Sequence, residues 1–450
     1  MLFEDKEFSF YDKAERQVRK AFEFYEGGKA PQALLALEDA LQINPTNGTW
    51  HFNKALILDT INRFDDAIKE YETALQVNPT DLEILNSLAV DYTRTGQNDL
   101  AIETFEYIEK LDSNFEASYC NRIITYTEMG LHDRAEEMFY LAQQIDPDCP
   151  LCYYNIGNSL FVRGEYKKAV HCWQRTAELE PTHPQINLRI AQACWATGEK
   201  TKAREYFLAE LRNNPGDIDV ILDFGIFMLE EGDSESAKEK FNRLLELSDN
   251  YAPALFYLGE IAFDKGDIEQ AVQYFNRAIE NDGTLSGPRY RLAQIALRNN
   301  HKNKAKNYLV CELELIEEQA EVLVSIGSMF LTLDYFDLAE HCLLKAVDID
   351  STNSEAYYYL GLVSATKGLF EDSVEFFSHT LDINPEHLAA LRDSSVIYLA
   401  MGKLTKASQR INKALQLDSK DPYLKVVSRR IRSAYLRKKI QDFLRGLRFH

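Results

Sequence analysis

The 450-residue chain carries 71 Asp and Glu against 50 Lys and Arg, a formal net charge of −21. A polyanion of this kind repels DNA and RNA, which argues against nucleic acid as a partner. Seven scattered cysteines, an odd number, suit a reducing compartment better than a disulfide framework, and no run approaches 18 apolar residues.

The chain opens with a lead-in, residues 1–13, MLFEDKEFSFYDK, which has no apolar stretch of signal-peptide type. A cytoplasmic location is therefore expected.

From Ala14 a ruler of 34 residues takes over. Twelve units run from residue 14 to 421 without insertion or deletion. The eighth position of each unit is small in eleven of twelve, from Ala21 through Gly157 and Gly225 to Ser395; the exception is Ile123. The twentieth is Ala in all but one, where it is Ser373. The twenty-fourth is large and apolar throughout, from Leu37 and Tyr71 through Phe105, Trp173, Phe241 and Phe275 to Ile411. A large knob one helical turn beyond a small residue can lie over a neighbouring helix. The fifteenth position is Gly in nine units and Asn62, Asn300 or Asp334 in the others. These residues tolerate the left-handed backbone that ends one helix before the chain reverses. Each unit therefore reads as a helix, a tight turn and an antiparallel helix, and stacking of units buries what one unit cannot.

Residues 14–421, about nine-tenths of the chain, resemble the tetratricopeptide repeat family at the small, glycine, alanine, aromatic and proline positions. The resemblance implies an all-α fold: a right-handed α-solenoid whose first helices line a concave groove. Thr176, Glu210 and Glu312 depart from it where a small residue is usual, as does Ile123, and half the units lack the closing proline.

In DPDCPLC, Pro147 closes the fourth unit and Pro150 opens the fifth, so Cys149 and Cys152 sit at an inter-repeat turn. A zinc site would need two more ligands, for which His171, Cys172 and His183 are the candidates; a redox pair would need a βαβ setting that the chain does not offer. The cysteines are read as small packing residues, with no metal and no cofactor expected. The chain has no Gly-rich phosphate loop, nucleophile elbow or metalloprotease motif, so no catalytic residue, no small-molecule substrate and no enzymatic activity are expected.

The family's groove positions carry over onto units 4 to 9. They give Asn121; Tyr154, Asn155, Asn158 and Phe161; Arg189, Gln192 and Trp195; Asp223; Phe256, Tyr257, Glu260 and Phe263; and Tyr290, Arg291 and Gln294. Aromatics supply rigid contact area, and amide or guanidinium groups can bond a peptide backbone. The alternative is that some of the aromatics fill gaps between first helices. The implied function is a scaffold or adaptor that binds protein or peptide segments. Asn53, Asn121 and Asn155, continued by Arg189, resemble the asparagine ladder of the O-linked N-acetylglucosamine transferase superhelix. The chaperone carboxylate clamp is not matched: Cys120, Ile124, Asn155, Gln185 and Arg189 lack its two lysines and one asparagine. Units 7 and 8 offer Asp219, Asp223, Glu230, Glu260 and Asp264 with no base, which suits a basic partner segment or is a solvated acidic wall.

The last segment, residues 422–450, inverts the charge. Residues 424–450 hold nine Lys or Arg against one acid, Asp442, a net +8 that leaves −29 for the preceding 423 residues. Helical spacing of Leu424, Val427, Ile431, Leu436 and Ile440 predicts one long helix from about Pro422. It reads as a cap on the last unit. Residues 436–450 could also dock on a membrane surface or on the array's own acidic groove.

Overall fold

The computed structural model describes residues 4–316 and 319–447, with side chains described between residues 13 and 440. Among the described residues there are twenty-five α-helices and no strand. The fold is an α-solenoid of stacked antiparallel helix pairs that divides into two bodies, residues 1–220 and 221–450.

In the first body α1 (Glu4–Glu26) pairs with α2 (Ala30–Ile43), α3 (Gly48–Thr60) with α4 (Phe64–Val77), and α5 (Leu82–Arg94) with α6 (Asn98–Leu111). There follow α7 (Glu116–Glu128) with α8 (His132–Ile145), α9 (Pro150–Val162) with α10 (Tyr166–Leu179), and α11 (Ile186–Ala196) with α12 (Lys200–Asn213). Helix α13 (Ile218–Glu230) begins where the bodies divide, and α14 (Ser234–Leu247) follows it. The second body then pairs α15 (Ala252–Asp264) with α16 (Ile268–Asn281), α17 (Pro288–Arg298) with α18 (Lys302–Leu313), and α19 (Ala320–Thr332) with α20 (Phe336–Ile349). It ends with α21 (Ser354–Thr366) on α22 (Phe370–Ile383), α23 (Leu388–Ala400) on α24 (Leu404–Leu417), and α25 (Pro422–Leu447). The lead-in is no separate element: from Glu4 onward it is the front of α1.

Every one of the twelve turn positions has a positive φ, from +58° at Asn62 and Asn300 to +82° at Gly164 and Gly266. The small residue and the large knob meet as expected. A Cβ added to Gly157 would lie 2.5 Å from the Trp173 indole, and one added to Gly225 would lie 2.6 Å from the Phe241 ring. Both rings are buried because the glycine leaves room for them.

The departures have local consequences. Ile123 is fully buried at its small position, and the knob that should fill that space, Phe139, keeps 9% of its surface exposed where Phe105 keeps none. Thr176 is buried and its hydroxyl donates to the Pro150 carbonyl at 3.2 Å. Two first helices start late. α11 begins after Gln185 at φ +60°, and α17 after Gly287 at φ +106°. Glu312 answers the second of these. Its buried carboxylate accepts a hydrogen bond from the Gly287 N–H at the foot of α17. Burial raises the Glu312 pKa from its ordinary value, against the pull of backbone donors at Gly287 and Tyr290.

Helix α25 starts at Pro422 as expected. Leu424, Val427 and Ile431 are buried in the core formed with α23 and α24. Beyond them the helix changes character: Tyr435, Leu436 and Ile440 are all exposed.

Candidate functional site

First helices of successive repeats touch directly: α5 packs on α7, α7 on α9, and α19 on α21. The expected recognition residues lie on this row of first helices, and the two bodies place them differently.

In the first body Asn121, Tyr154, Asn158, Phe161, Arg189, Gln192 and Trp195 are half-buried, whereas Asn155 is buried. The Asn121 amide donates to Asn86 Oδ1 on α5 at 3.1 Å, and Asn155 Nδ2 donates to the Cys120 carbonyl on α7 at 3.0 Å. These asparagines therefore tie first helices to one another, and the Asn155 amide is used inside the stack. The Tyr154 ring packs on His183 at 4.4 Å. Phe161 lies between Tyr166 and Trp173 at 5.2 and 5.7 Å, and Trp195 meets Phe207 edge-on at 6.4 Å. Arg189 Nη1 reaches Gln192 Oε1 at 3.4 Å. Each aromatic thus makes a ring contact and keeps part of its surface exposed.

In the second body the side chains converge. Tyr257 stacks on the Phe241 knob, ring centroids 5.2 Å apart and planes within 11°. Phe256 covers Phe275 and fills the space beside Gly287. Phe263 is buried, with the Arg291 and Arg298 guanidinium groups over its ring at 5.3 and 4.9 Å. Arg291 grips Glu260 through two nitrogens, the Nε contact being 2.7 Å, and also donates to Gln294 Oε1 at 3.0 Å. Tyr290 and Asp223 are half-buried. Burial pushes the Tyr257 hydroxyl above its ordinary pKa, and the charges of Asp223, Glu260 and Glu230 add to that. The charges of those three acids therefore act on one aromatic group. The expectation of acids without a base needs one addition: Arg291, from the ninth repeat, takes Glu260. Asp219 and Asp264 are exposed.

A cleft of about 560 Å³ lies on the second helices α10 and α12, among Tyr166, Gln174, Lys202 and Tyr206. It holds none of the expected recognition residues.

The cysteines of DPDCPLC are not alone. Glu116 and Cys120, one turn apart on α7, face Cys149 and Cys152 at the start of α9. The three Sγ atoms and a carboxylate oxygen all lie within 4.8 Å of one another. Cys149 is the N-cap of α9: its Sγ accepts the Cys152 N–H at 3.4 Å, a place normally taken by Ser, Asp or Asn. Pro150 at the first helical position fixes that turn. The Cys152 thiol lies 2.9 Å from Glu116 Oε1, and Asn155 Nδ2 lies 3.6 Å from Cys120 Sγ. The Cys120 thiol, then that of Cys152, favours the thiolate on Cys149 and holds its pKa far below the ordinary value. Contact with Cys149 pushes Cys120 up, and contact first with Cys120 and then with Cys149 pushes Cys152 up. Burial pushes Glu116 up to about 7. His171, Cys172 and His183 are not members of the cluster. The i,i+4 pair Glu116 and Cys120 is legible in the sequence, but it lies about one repeat length upstream of DPDCPLC.

No helix among the described residues is long and apolar enough to cross a membrane.

Comparison with known proteins gives a consistent set of matches. A tetratricopeptide repeat model matches residues 154–218 and 228–285, a model of the psidin N-terminal TPR repeats region matches 15–154, and a further tetratricopeptide repeat model matches 320–353. The chain is 39% identical over 70 residues to FK506-binding protein 5 of Rhizopus delemar; the match covers 15% of this chain and only 18% of that protein. Among solved structures it is similar to the APC/C hetero-tetramer Cut9–Hcn1, at 13% identity and a TM-score of 0.44, covering 93% of this chain and 96% of that one. It is also similar to yeast Tom70, at 14% identity and a TM-score of 0.40, covering 95% and 96%.

Proposed function

Since the chain belongs to the tetratricopeptide repeat family, we propose that it is a non-enzymatic scaffold that holds protein segments along its row of first helices. The observation that carries this reading is the Tyr257 site. A half-buried ring is anchored on the Phe241 knob and feels the negative charges of Asp223, Glu260 and Glu230. A pre-positioned aromatic in an acidic field, of which Arg291 already takes the Glu260 share, fits a basic segment, an arginine side chain above all, through ion pairing and cation–π contact. Ordering cost is small because the ring is already held. The partner is thus a protein segment rather than nucleic acid, which the overall negative charge repels. The scattered cysteines favour a reducing, cytoplasmic setting.

The test is a fluorescence-anisotropy titration of the full chain against arginine-bearing peptides and their glutamate-substituted counterparts. Preference for the basic set, weakened by salt and by Asp223→Asn with Glu230→Gln, is the expected result. Equal binding of both sets, or indifference to the two substitutions at low salt, sinks the charge reading. Failure of all peptides to bind sinks the scaffold reading at this site.

A second reading has its own observation. Past its capping turns α25 exposes Leu436 and Ile440 beside Arg437, Lys438 and Lys439. Such a segment suits an anionic lipid surface, or the acidic array itself as an autoinhibitory cover. Truncation after Tyr435 separates them. Loss of co-sedimentation with anionic vesicles marks a membrane-docked assembly factor, a rise in peptide affinity marks self-docking, and neither change leaves a cap only.

A further inference from the structure

We propose that Cys120, Cys149, Cys152 and Glu116 form a zinc site that clips the fourth repeat to the fifth. The four donor atoms already share one small volume, all within 4.8 Å of one another. Tetrahedral zinc with Zn–S bonds of about 2.3 Å sets its sulfurs about 3.8 Å apart, so the donors need to close by only an ångström or less. The set comes from two helices, Glu116 and Cys120 from α7 and Cys149 and Cys152 from the N-cap and first turn of α9, so the ion would add a metal bridge to helices already joined by packing and by the Asn155 hydrogen bond.

The donor chemistry selects the ion. Three thiols and a carboxylate favour a soft, closed-shell divalent cation over magnesium or calcium, which demand oxygen ligands. Three thiolates and a carboxylate around Zn²⁺ leave a net charge of −2, and the surroundings are built to carry it. The Cys152 N–H points at Cys149 Sγ, the Asn155 amide points at Cys120 Sγ, and Cys149 itself caps the positive end of the α9 dipole. Cys120 and Cys152 are closed off from solvent and Cys149 retains 8% exposure, so an ion would enter past Cys149 and Glu116. Packing alone gives no reason to place a carboxylate and three thiols together. Small apolar residues fill the equivalent space at less cost in buried polar groups.

The site has a consequence for the row of first helices. Asn155 holds Cys120 through both its carbonyl and its sulfur. A metal fixing Cys120 would therefore also fix the register of α9, which carries Tyr154, Asn158 and Phe161.

The test uses the full chain purified under reducing conditions without chelator, with metal content read by mass spectrometry and affinity by competition with a chromophoric chelator. The expected result is one zinc per chain, retained on dialysis and undisplaced by excess magnesium. Cobalt substitution should give the sulfur-to-metal charge-transfer band of a thiolate site. Cys120→Ser and Cys152→Ser should abolish retention, and Glu116→Gln, a half-exposed neutral isostere that leaves the packing intact, should weaken zinc binding by about tenfold or more. Cys172→Ser, outside the cluster, should change nothing. Absence of zinc in the reduced protein together with no competition at micromolar zinc overturns the proposal. So does zinc binding that is unchanged in Glu116→Gln and Cys120→Ser, or a Cys149–Cys152 disulfide that persists in the reduced preparation with no zinc retained.

Discussion

Two inter-repeat junctions, one in each body, solve the same problem with different means. At the start of α9 the N-cap is Cys149, adjacent in sequence, with Pro150 pre-setting the first turn. At the start of α17 Gly287 swings to φ +106° and makes no side-chain cap; the acceptor is Glu312, 25 residues downstream on α18. The first junction uses a local cap and gathers remote donors around it. The second has no local cap and recruits a remote carboxylate to replace it. Positions that break a repeat pattern can thus be compensations for one another, and they need to be read in pairs across the helix stack.

The largest expected effects leave the two junctions equal. Trp173→Ala beside the first and Phe275→Ala beside the second each remove a fully buried knob, and each should cost about 3–5 kcal/mol. Because repeats contact their neighbours only, hydrogen exchange should rise in the mutated repeat and the adjacent ones and stay low elsewhere. Uniform loosening of the whole chain after either substitution would show that the array folds as one unit and that junctions cannot be compared singly.

The junctions should part company at the next level. Glu312→Ala strips the acceptor from the Gly287 N–H inside the stack and should cost about 1–3 kcal/mol, localised to α17 and α18. Glu312→Gln keeps an acceptor and should cost less. If both are silent in urea denaturation, the late start of α17 needs no compensation and the contrast with α9 fails. A smaller effect of opposite sign is expected at the other late start. Gln185 sits at φ +60°, where a side chain is strained. Gln185→Gly should stabilise by up to about 1 kcal/mol.

Much of this was legible from residues 14–421, for a physical reason. A turn position needs φ above zero and a close helix approach needs a missing Cβ, so the demand falls on single residues, and Gly28, Asn62 or Gly157 report it directly. The tail was legible likewise: Leu424, Val427 and Ile431 at helical spacing are the buried face of α25. What stayed hidden depends on pairs far apart in sequence. The role of Glu312 shows only once α18 lies beside the foot of α17. The company of Cys149 shows only once α7 lies against α9. Position within a repeat also fails to say how a groove residue is used: Asn155 turns its amide to α7, Phe263 is roofed by two arginines, and Glu260 is taken by Arg291.

Asp91 on α5 is a third kind of buried acid, and the smallest effect is expected there. Its side chain is fully buried, yet it caps no helix and one of its oxygens has no hydrogen-bond partner. Burial, then the neighbouring Asp59 carboxylate, pushes its pKa from 3.8 up to about 7, and Arg94, which bonds both acids, offsets this only in part. Between pH 4 and 7 the folded chain therefore holds a proton that the unfolded chain has released. Stability contributed by this group is complete below its unfolded pKa and is lost as pH rises through about 7. Asp91→Asn mimics the protonated form and can still donate to Asp59. It should be near-neutral at pH 5 and should stabilise the first body by on the order of 1 kcal/mol at pH 8. The readout is the difference in urea midpoint between the two pH values, compared with the parent chain. A parent and variant that lose stability in parallel between pH 5 and 8 would show that Asp91 is ionised and satisfied by Arg94, a capped acid after all and no different in kind from Glu312.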